Sequence, residues 1–222
     1  MGDDGGFSGG LKITHPNGKT INLTRPWRRV SMADLVEAGT GWKFDKKNLF
    51  SQQTTKLFDQ PAEAYAKNIE YLAEKAPSIH SAKLIDLRPE QQLVELYEKL
   101  IEPTLIDPTF VTHVPSVIIP LAKKNAADPY FADVYELAIN GQEISPGYSE
   151  LNDPDVQAAN FAHQVGDEAE KQKTDDDFLN ALRYGMPPAG GLGLGIDRLL
   201  MMLTGAESIR DVILFPLMKP QG

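Results

Sequence analysis

"DVYELAINGQEISPGYSELND", residues 133 to 153, decides how this chain is read. Asn140-Gly141 falls between two alternating segments, and Asn-Gly is the preferred pair for a two-residue type I′ hairpin because both central residues must take positive φ. With that pair in the loop, Ile139 faces Gln142, Ala138 faces Glu143, Leu137 faces Ile144 and Glu136 faces Ser145. Side chains alternate along a strand. The register therefore predicts Leu137, Ile139 and Ile144 with Gln142 on one face, and Glu136, Ala138, Glu143 and Ser145 on the other.

Glu136 and Glu143 become diagonal cross-strand neighbours, with Cα atoms about 7 to 8 Å apart. Two carboxylates at that range either converge on one hard cation or repel each other unless solvated, and magnesium with a nucleotide is the usual compensation in phosphate chemistry. A wet sheet face carrying two outward glutamates is the alternative.

Working outward, "LKITHPNGKTINLT" (11 to 24) alternates on either side of Pro16-Asn17-Gly18 and predicts another hairpin. "SMADLVEAG" (31 to 39) predicts a short helix capped by Ser31 and stopped by Gly39. Residues 61 to 75, rich in Ala, Glu and Lys behind Pro61, predict a helix. Residues 89 to 102 predict an amphipathic one with Leu93, Val94, Tyr97, Leu100 and Ile101 on its stripe. "TFVTHV" (109 to 114) reads as a strand, and "DEAEKQKTDDD" (167 to 177) as a solvated connection. The first ten residues hold five glycines and two aspartates and read as a flexible leader, with structure starting at Leu11.

A 222-residue chain that is 41% hydrophobic can bury a real core. Its formal net charge of −9 opposes a bare electrostatic grip on nucleic acid. With no cysteine, disulfides, thiolate metal sites and cysteine nucleophiles are excluded together. There is no apolar run of membrane-spanning length and no signal sequence, so a cytoplasmic protein without a membrane partner is expected.

"GGLGLGIDRLL" (190 to 200) is the second informative stretch. A Walker loop needs Gly-Lys-Ser/Thr where Gly195 is followed by Ile196 and Asp197, and a dinucleotide fingerprint from Gly191 needs glycine at Ile196, so both fail. There remains a glycine-alternating strand running into a helix whose apolar side is Ile196, Leu199, Leu200 and Leu203. Glycines on one strand face leave bare backbone for a flat ring or a phosphate, or for a packed neighbour. Arg198, in a helical first turn where the macrodipole favours anions, calls for an anionic partner from ligand or protein, Asp197 and Asp211 being the protein candidates.

"GGLGLGIDRLLMMLTGAESIRDVILFPLMKP" (190 to 220) resembles motif 3 of class II aminoacyl-tRNA synthetases of the Lys, Asp and Asn subgroup. "GYSELND" (147 to 153), "PTFVTHVPSVIIPLAKKN" (108 to 125) and "DFLNALRYGMPPAGGLGLG" (177 to 195) resemble the lysyl-tRNA synthetases in particular. The likeness implies an α+β fold: part of a class II catalytic core, an antiparallel sheet flanked by helices, spanning 11 to 220. By it Arg198 is the catalytic arginine on the ATP γ-phosphate, Gly193 and Gly195 lie in the strand under the nucleotide, and Glu136 and Glu143 hold Mg2+ on ATP. Tyr148 and Glu150 match the lysine pocket, the carboxylate pairing with the substrate ammonium.

Pro146 stands where the family commonly has asparagine, and Val117 and Ile119 where many relatives have Glu and Ser. The anticodon-binding OB-fold and motifs 1 and 2 are not visible. The implied activity is attachment of lysine to tRNA(Lys) through lysyl-adenylate, the complete enzyme being a homodimer and this chain supplying the motif 3 half of the site. The alternatives are a truncated, non-catalytic nucleotide-binding or interaction module, and a ligase that lysylates a protein.

Overall fold

The computed structural model of the chain describes residues 10–44, 46, 89–164 and 175–215. The predicted helix over 61 to 75, nearly all of the leader and most of the 167 to 177 connection lie outside these residues. An opening hairpin pairs β1 (Lys12–Thr14) with β2 (Thr20–Asn22), Ile13 opposite Ile21, as the alternation predicts. Its turn uses Gly18 at φ 85°, a conformation that glycine adopts without a Cβ penalty.

Five further strands form one sheet in chain order: β3 (Arg28–Ser31), β4 (Thr109–Thr112), β5 (Val134–Ile139), β6 (Gln142–Ser149) and β7 (Gly190–Leu192). β3 and β4 are parallel and every other pairing is antiparallel. Between β3 and β4 the chain passes through α1 (Met32–Thr40) and α2 (Pro89–Leu96), which pack on one face of the sheet. After β6 come α3 (Pro154–Gln164) and α4 (Asp176–Tyr184), in contact through Phe161 and Phe178, and after β7 comes α5 (Ile196–Thr204). The architecture is the expected α+β one, an antiparallel-rich sheet flanked by helices. Among the described residues no helix is long and apolar enough to cross a membrane.

Ser31 caps α1 as expected, its Oγ accepting from the Asp34 amide. The helix runs past Gly39, however, and stops at Gly41 in the left-handed region (φ 74°). Gly39 serves packing instead: a Cβ there would run into the Ile101 side chain. Asp176 and Asp177, read as part of a connection, lie in the first turn of α4, where acidic residues suit the helix dipole, and Asp175 caps it.

The stripe predicted over 89 to 102 is shifted at its end because α2 widens into a π-turn over Tyr97–Ile101 and then tightens into a 3-10 turn over Glu102–Thr104. Leu93, Tyr97 and Ile101 are buried as predicted, but so is Leu96, while Val94 and Leu100 only flank the core. These residues join Met32, Leu35, Val36, Val111, Val114 and Ala138 in the larger core.

A second core on the other sheet face gathers Ile21, Ile139, Ile144 and Met202. The predicted apolar side of α5 is corrected here: Met202 is buried and Leu199 packs beside it, whereas Ile196, Leu200 and Leu203 are exposed. The buried His15 donates from Nε2 to the Met202 carbonyl at 2.7 Å, tying the first hairpin to the last long helix.

Leu96→Ala is expected to lower the unfolding free energy by about 2 to 5 kcal/mol, and Leu100→Ala by roughly half as much or less. Urea denaturation followed by circular dichroism measures both, and equal losses would contradict the π-turn phase.

Candidate active site

Asn140 (φ 59°) and Gly141 (φ 81°) form the predicted turn, with Ile139 opposite Gln142 and Ala138 opposite Glu143. Beyond that the register departs from expectation. A β-bulge between Leu137 and Ala138 inserts Ile144, so Leu137 pairs with Ser145 and Glu136 with Pro146. Ser145 thereby moves off the glutamate face and donates its hydroxyl to the Gly193 carbonyl. Glu136 and Glu143 stay on one face as diagonal neighbours, because Glu143 still opposes Ala138, two residues from Glu136.

Register partners build that face row by row. Val30, Val111, Glu136 and Pro146 line up across β3 to β6, flanked by Arg28, Thr109, Ala138 and Glu143. On the other side Val134, Tyr148 and Gly191 form the next row. Glu136 thus sits where the core beneath α2 gives way to the polar part of the sheet.

The surroundings of Glu136 are strongly acidic. Burial first, then the charges of Glu143, Glu102 and Glu98, push its carboxyl up to about 8. Burial and the Glu143 and Glu98 charges also raise Glu102, against the lowering effect of the Glu143 amide bond. The Tyr97 hydroxyl, buried beside these groups, has no hydrogen-bond partner among the described residues, and its acidity is suppressed by burial and then by Glu136. Glu102 and Glu98 have no signature in the sequence, and Tyr97 reads there only as a core position, since only the folding of the π-turn onto the hairpin brings them here. An acidic residue interrupting the apolar run at "LIEPT" (100 to 104) is the one available hint.

Arg198 reaches this cluster from the first turn of α5. Its Nη1 donates to the Glu143 carbonyl at 2.8 Å and lies 3.6 Å from the Glu143 carboxylate, with the side chain half exposed. The protein anion it meets is therefore Glu143, in place of Asp197 or Asp211. The strand proper ends at Leu192, but its pairing continues through the Gly193 amide to Pro146 and the Gly195 amide to Ile144. A Cβ at Gly193 or Gly195 would meet only ordinary van der Waals contacts, so packing among the described residues does not demand glycine at either position. At Gly191, by contrast, a Cβ would collide with the Glu150 carboxylate, which occupies that space.

Tyr148 lies farther along the same side of β6, and Glu150 follows just past its end, bridged to Ala122. At about 3.3 Å per residue, Glu143 and Glu150 are separated by on the order of 20 Å along the strand. One side of the sheet thus carries an arginine with two carboxylates at one end and the Glu150 carboxylate at the other. Pro146 spends its carbonyl on the Gly193 amide, Ile119 packs against the larger core, and Val117 is exposed.

Among the described residues no three His, Cys, Asp or Glu side chains are gathered into a metal cage. Two carboxylates with the rest of the shell left to phosphate and water is the arrangement Mg2+ favours, and the uncompensated charge around Glu136 together with the orphaned Tyr97 hydroxyl fits a cation there.

The raised Glu136 pKa sets a pH dependence with a definite sign. Below its ordinary value of 4.5 the carboxyl is protonated in folded and unfolded chain alike, and the folded stability is fully present. From there to about 8 the unfolded chain releases a proton that the folded chain keeps, so stability falls as pH rises and levels off above that point. Urea midpoints measured without divalent cations are expected to show this fall, and Glu136→Gln to shrink it without abolishing it, because Glu98 and Glu102 are raised too.

Residues 9–219 match the family described as tRNA synthetases class II (D, K and N). The chain is 42% identical over 217 residues to a lysine–tRNA ligase of Carboxydothermus hydrogenoformans, covering 96% of this chain and 40% of that protein. It is 43% identical over 216 residues to that of Staphylococcus saprophyticus (95% and 39%) and 44% identical over 218 residues to that of Clostridium acetobutylicum (96% and 39%). The chain thus spans about two fifths of the length of these curated relatives. With an antiparallel-rich sheet flanked by helices and a family match that runs almost from end to end, this chain belongs to the class II tRNA synthetases of the Asp, Lys and Asn group.

Proposed function

We propose that this chain carries the motif 3 half of a lysine–tRNA ligase active site, in which lysine is activated with ATP as lysyl-adenylate and passed to tRNA(Lys). The observation that carries the reading is the convergence of Arg198 on Glu143 beside Glu136, on the same sheet face that ends in Glu150. The names of the relatives supply the amino acid. The domain assignment follows: residues 11–220 as the C-terminal portion of the catalytic domain, acting in the cytoplasm within a homodimer.

Each residue has a task that its position supports. Arg198, half exposed, turns from Glu143 to the ATP γ-phosphate, a charge-assisted contact. Gly193 and Gly195 leave bare backbone against which the adenine and ribose lie. Glu136 and Glu143 are the residues that would hold Mg2+, which when bound would supply positive charge to offset that of the phosphates. Tyr148 walls the lysine side chain, and Glu150, held in the space left by Gly191, receives the substrate ammonium. Catalysis then consists of positioning the lysine carboxylate in line with the α-phosphate and stabilising the charge that develops there.

The test is lysine-dependent ATP–pyrophosphate exchange with this chain alone and with the preceding part of a relative's catalytic domain supplied in trans. Exchange is expected only in the combination. Its absence there would favour a non-catalytic module, and robust exchange by the chain alone would overturn the half-site reading. In the active combination Arg198→Ala is expected to lower kcat by about 10²- to 10³-fold, as for loss of one transition-state donor. Glu150→Gln should raise the KM for lysine far more than the KM for ATP.

A further inference from the structure

The β5–β6 turn does not stand free. It is seated on the segment 102–106, where the Gly141 amide donates to the Leu105 carbonyl and the Asn140 amide to the Ile106 carbonyl, each at 2.9 Å. At Gly141 a Cβ would fall 2.8 Å from the Pro103 carbonyl oxygen, so the turn is pressed against backbone. A third contact comes from a side chain: the Glu143 amide donates to the Glu102 carboxylate.

Glu143 is thus gripped at two backbone atoms, its N–H by Glu102 and its C=O by Arg198. The Arg198 grip is one that a ligand anion can draw away. The Glu102 grip is internal, because Glu102 opens a 3-10 turn whose own closure is the Leu105 amide on the Glu102 carbonyl, with the Thr104 hydroxyl on the Ile101 carbonyl.

We propose that Glu102 is a positioning residue that holds Glu143 in place through its backbone amide, so that the pair Glu136 and Glu143 meets a divalent cation already set. A neutral acceptor would close the same bond without adding a carboxylate beside two others. Glu102 therefore also deepens the negative potential that draws the cation in. Groups that orient a ligand from behind commonly change metal affinity when removed. The inference rests on the reading of Glu136 and Glu143 as cation ligands.

Two variants separate the roles. Glu102→Gln keeps an acceptor oxygen and loses the charge, and Glu102→Met keeps the length and loses the oxygen. Amide hydrogen exchange of the full chain by NMR reads the grip directly, with the Val111 and Ala138 amides as the control that the sheet is intact. Titration with Mn2+ alone reads cation affinity through broadening of the Glu136 and Glu143 resonances. The Glu143 amide is expected to exchange about tenfold faster or more in Glu102→Met and to stay within about twofold of wild type in Glu102→Gln. Mn2+ affinity should fall by about 10- to 100-fold in Glu102→Met and by less in Glu102→Gln.

Unchanged Glu143 exchange in Glu102→Met overturns the proposal, and so does an equal acceleration in both variants. If Glu102→Met loses protection at Val111 and Ala138 as well, Gly141→Ala replaces it: that change unseats the turn and should accelerate Glu143 exchange, and no acceleration overturns the clamp. If Mn2+ broadens neither glutamate in the wild type, the cation reading fails while the exchange comparison still decides whether Glu102 holds Glu143.

Discussion

The seating of the β5–β6 turn is the constraint on which the rest of the site depends. A two-residue turn with both residues at positive φ fixes which residues face each other beside it, and the bulge at Ile144 then resets the register once. Every side chain downstream on β6 inherits its face from that single reset. Without the bulge Pro146, Tyr148 and Glu150 would turn to the opposite face of the sheet, away from Glu136 and Glu143. Holding the turn against 102–106 makes this arrangement a property of the tertiary fold, beyond what the hairpin could specify alone.

Local chemistry was legible in the sequence wherever the deciding partners are neighbours. The two hairpins, the Ser31 cap and the start of the glycine-alternating strand all follow from residues within a few positions of each other. What escaped depends on distance along the chain. Gly39 and Gly41 are equally good stop signals by type, and only contact with Ile101 decides that the first is packing and the second a cap. Ile101 is buried in place of Leu100 because the helix widens into a π-turn behind Leu96.

The site shows the same division. The seven-residue spacing of Glu136 and Glu143 around Asn-Gly places them on one face whether or not the bulge is foreseen, since a reset of one position beyond Glu143 leaves Ala138 opposite it. Arg198 demanded an anion by its place in a helix, yet the anion proved to be 55 residues away in the chain. The roles proposed for Glu150 and Tyr148 rest on family likeness, and no periodicity could have suggested them. Glu102 came from neither source, being joined to Glu143 across 41 residues.

The bond from His15 to the Met202 carbonyl spans 187 residues and is sheltered from water. Beside it, Gly205 ends α5 in the left-handed region so close to the imidazole that any larger residue would collide with the ring. The opening hairpin and the helix that carries Arg198 therefore form one cooperative unit although they come from opposite ends of the sequence. Local opening of the first hairpin loosens the floor on which Arg198 stands. Order in the polar strip is in this way wired to a pair of three-residue strands.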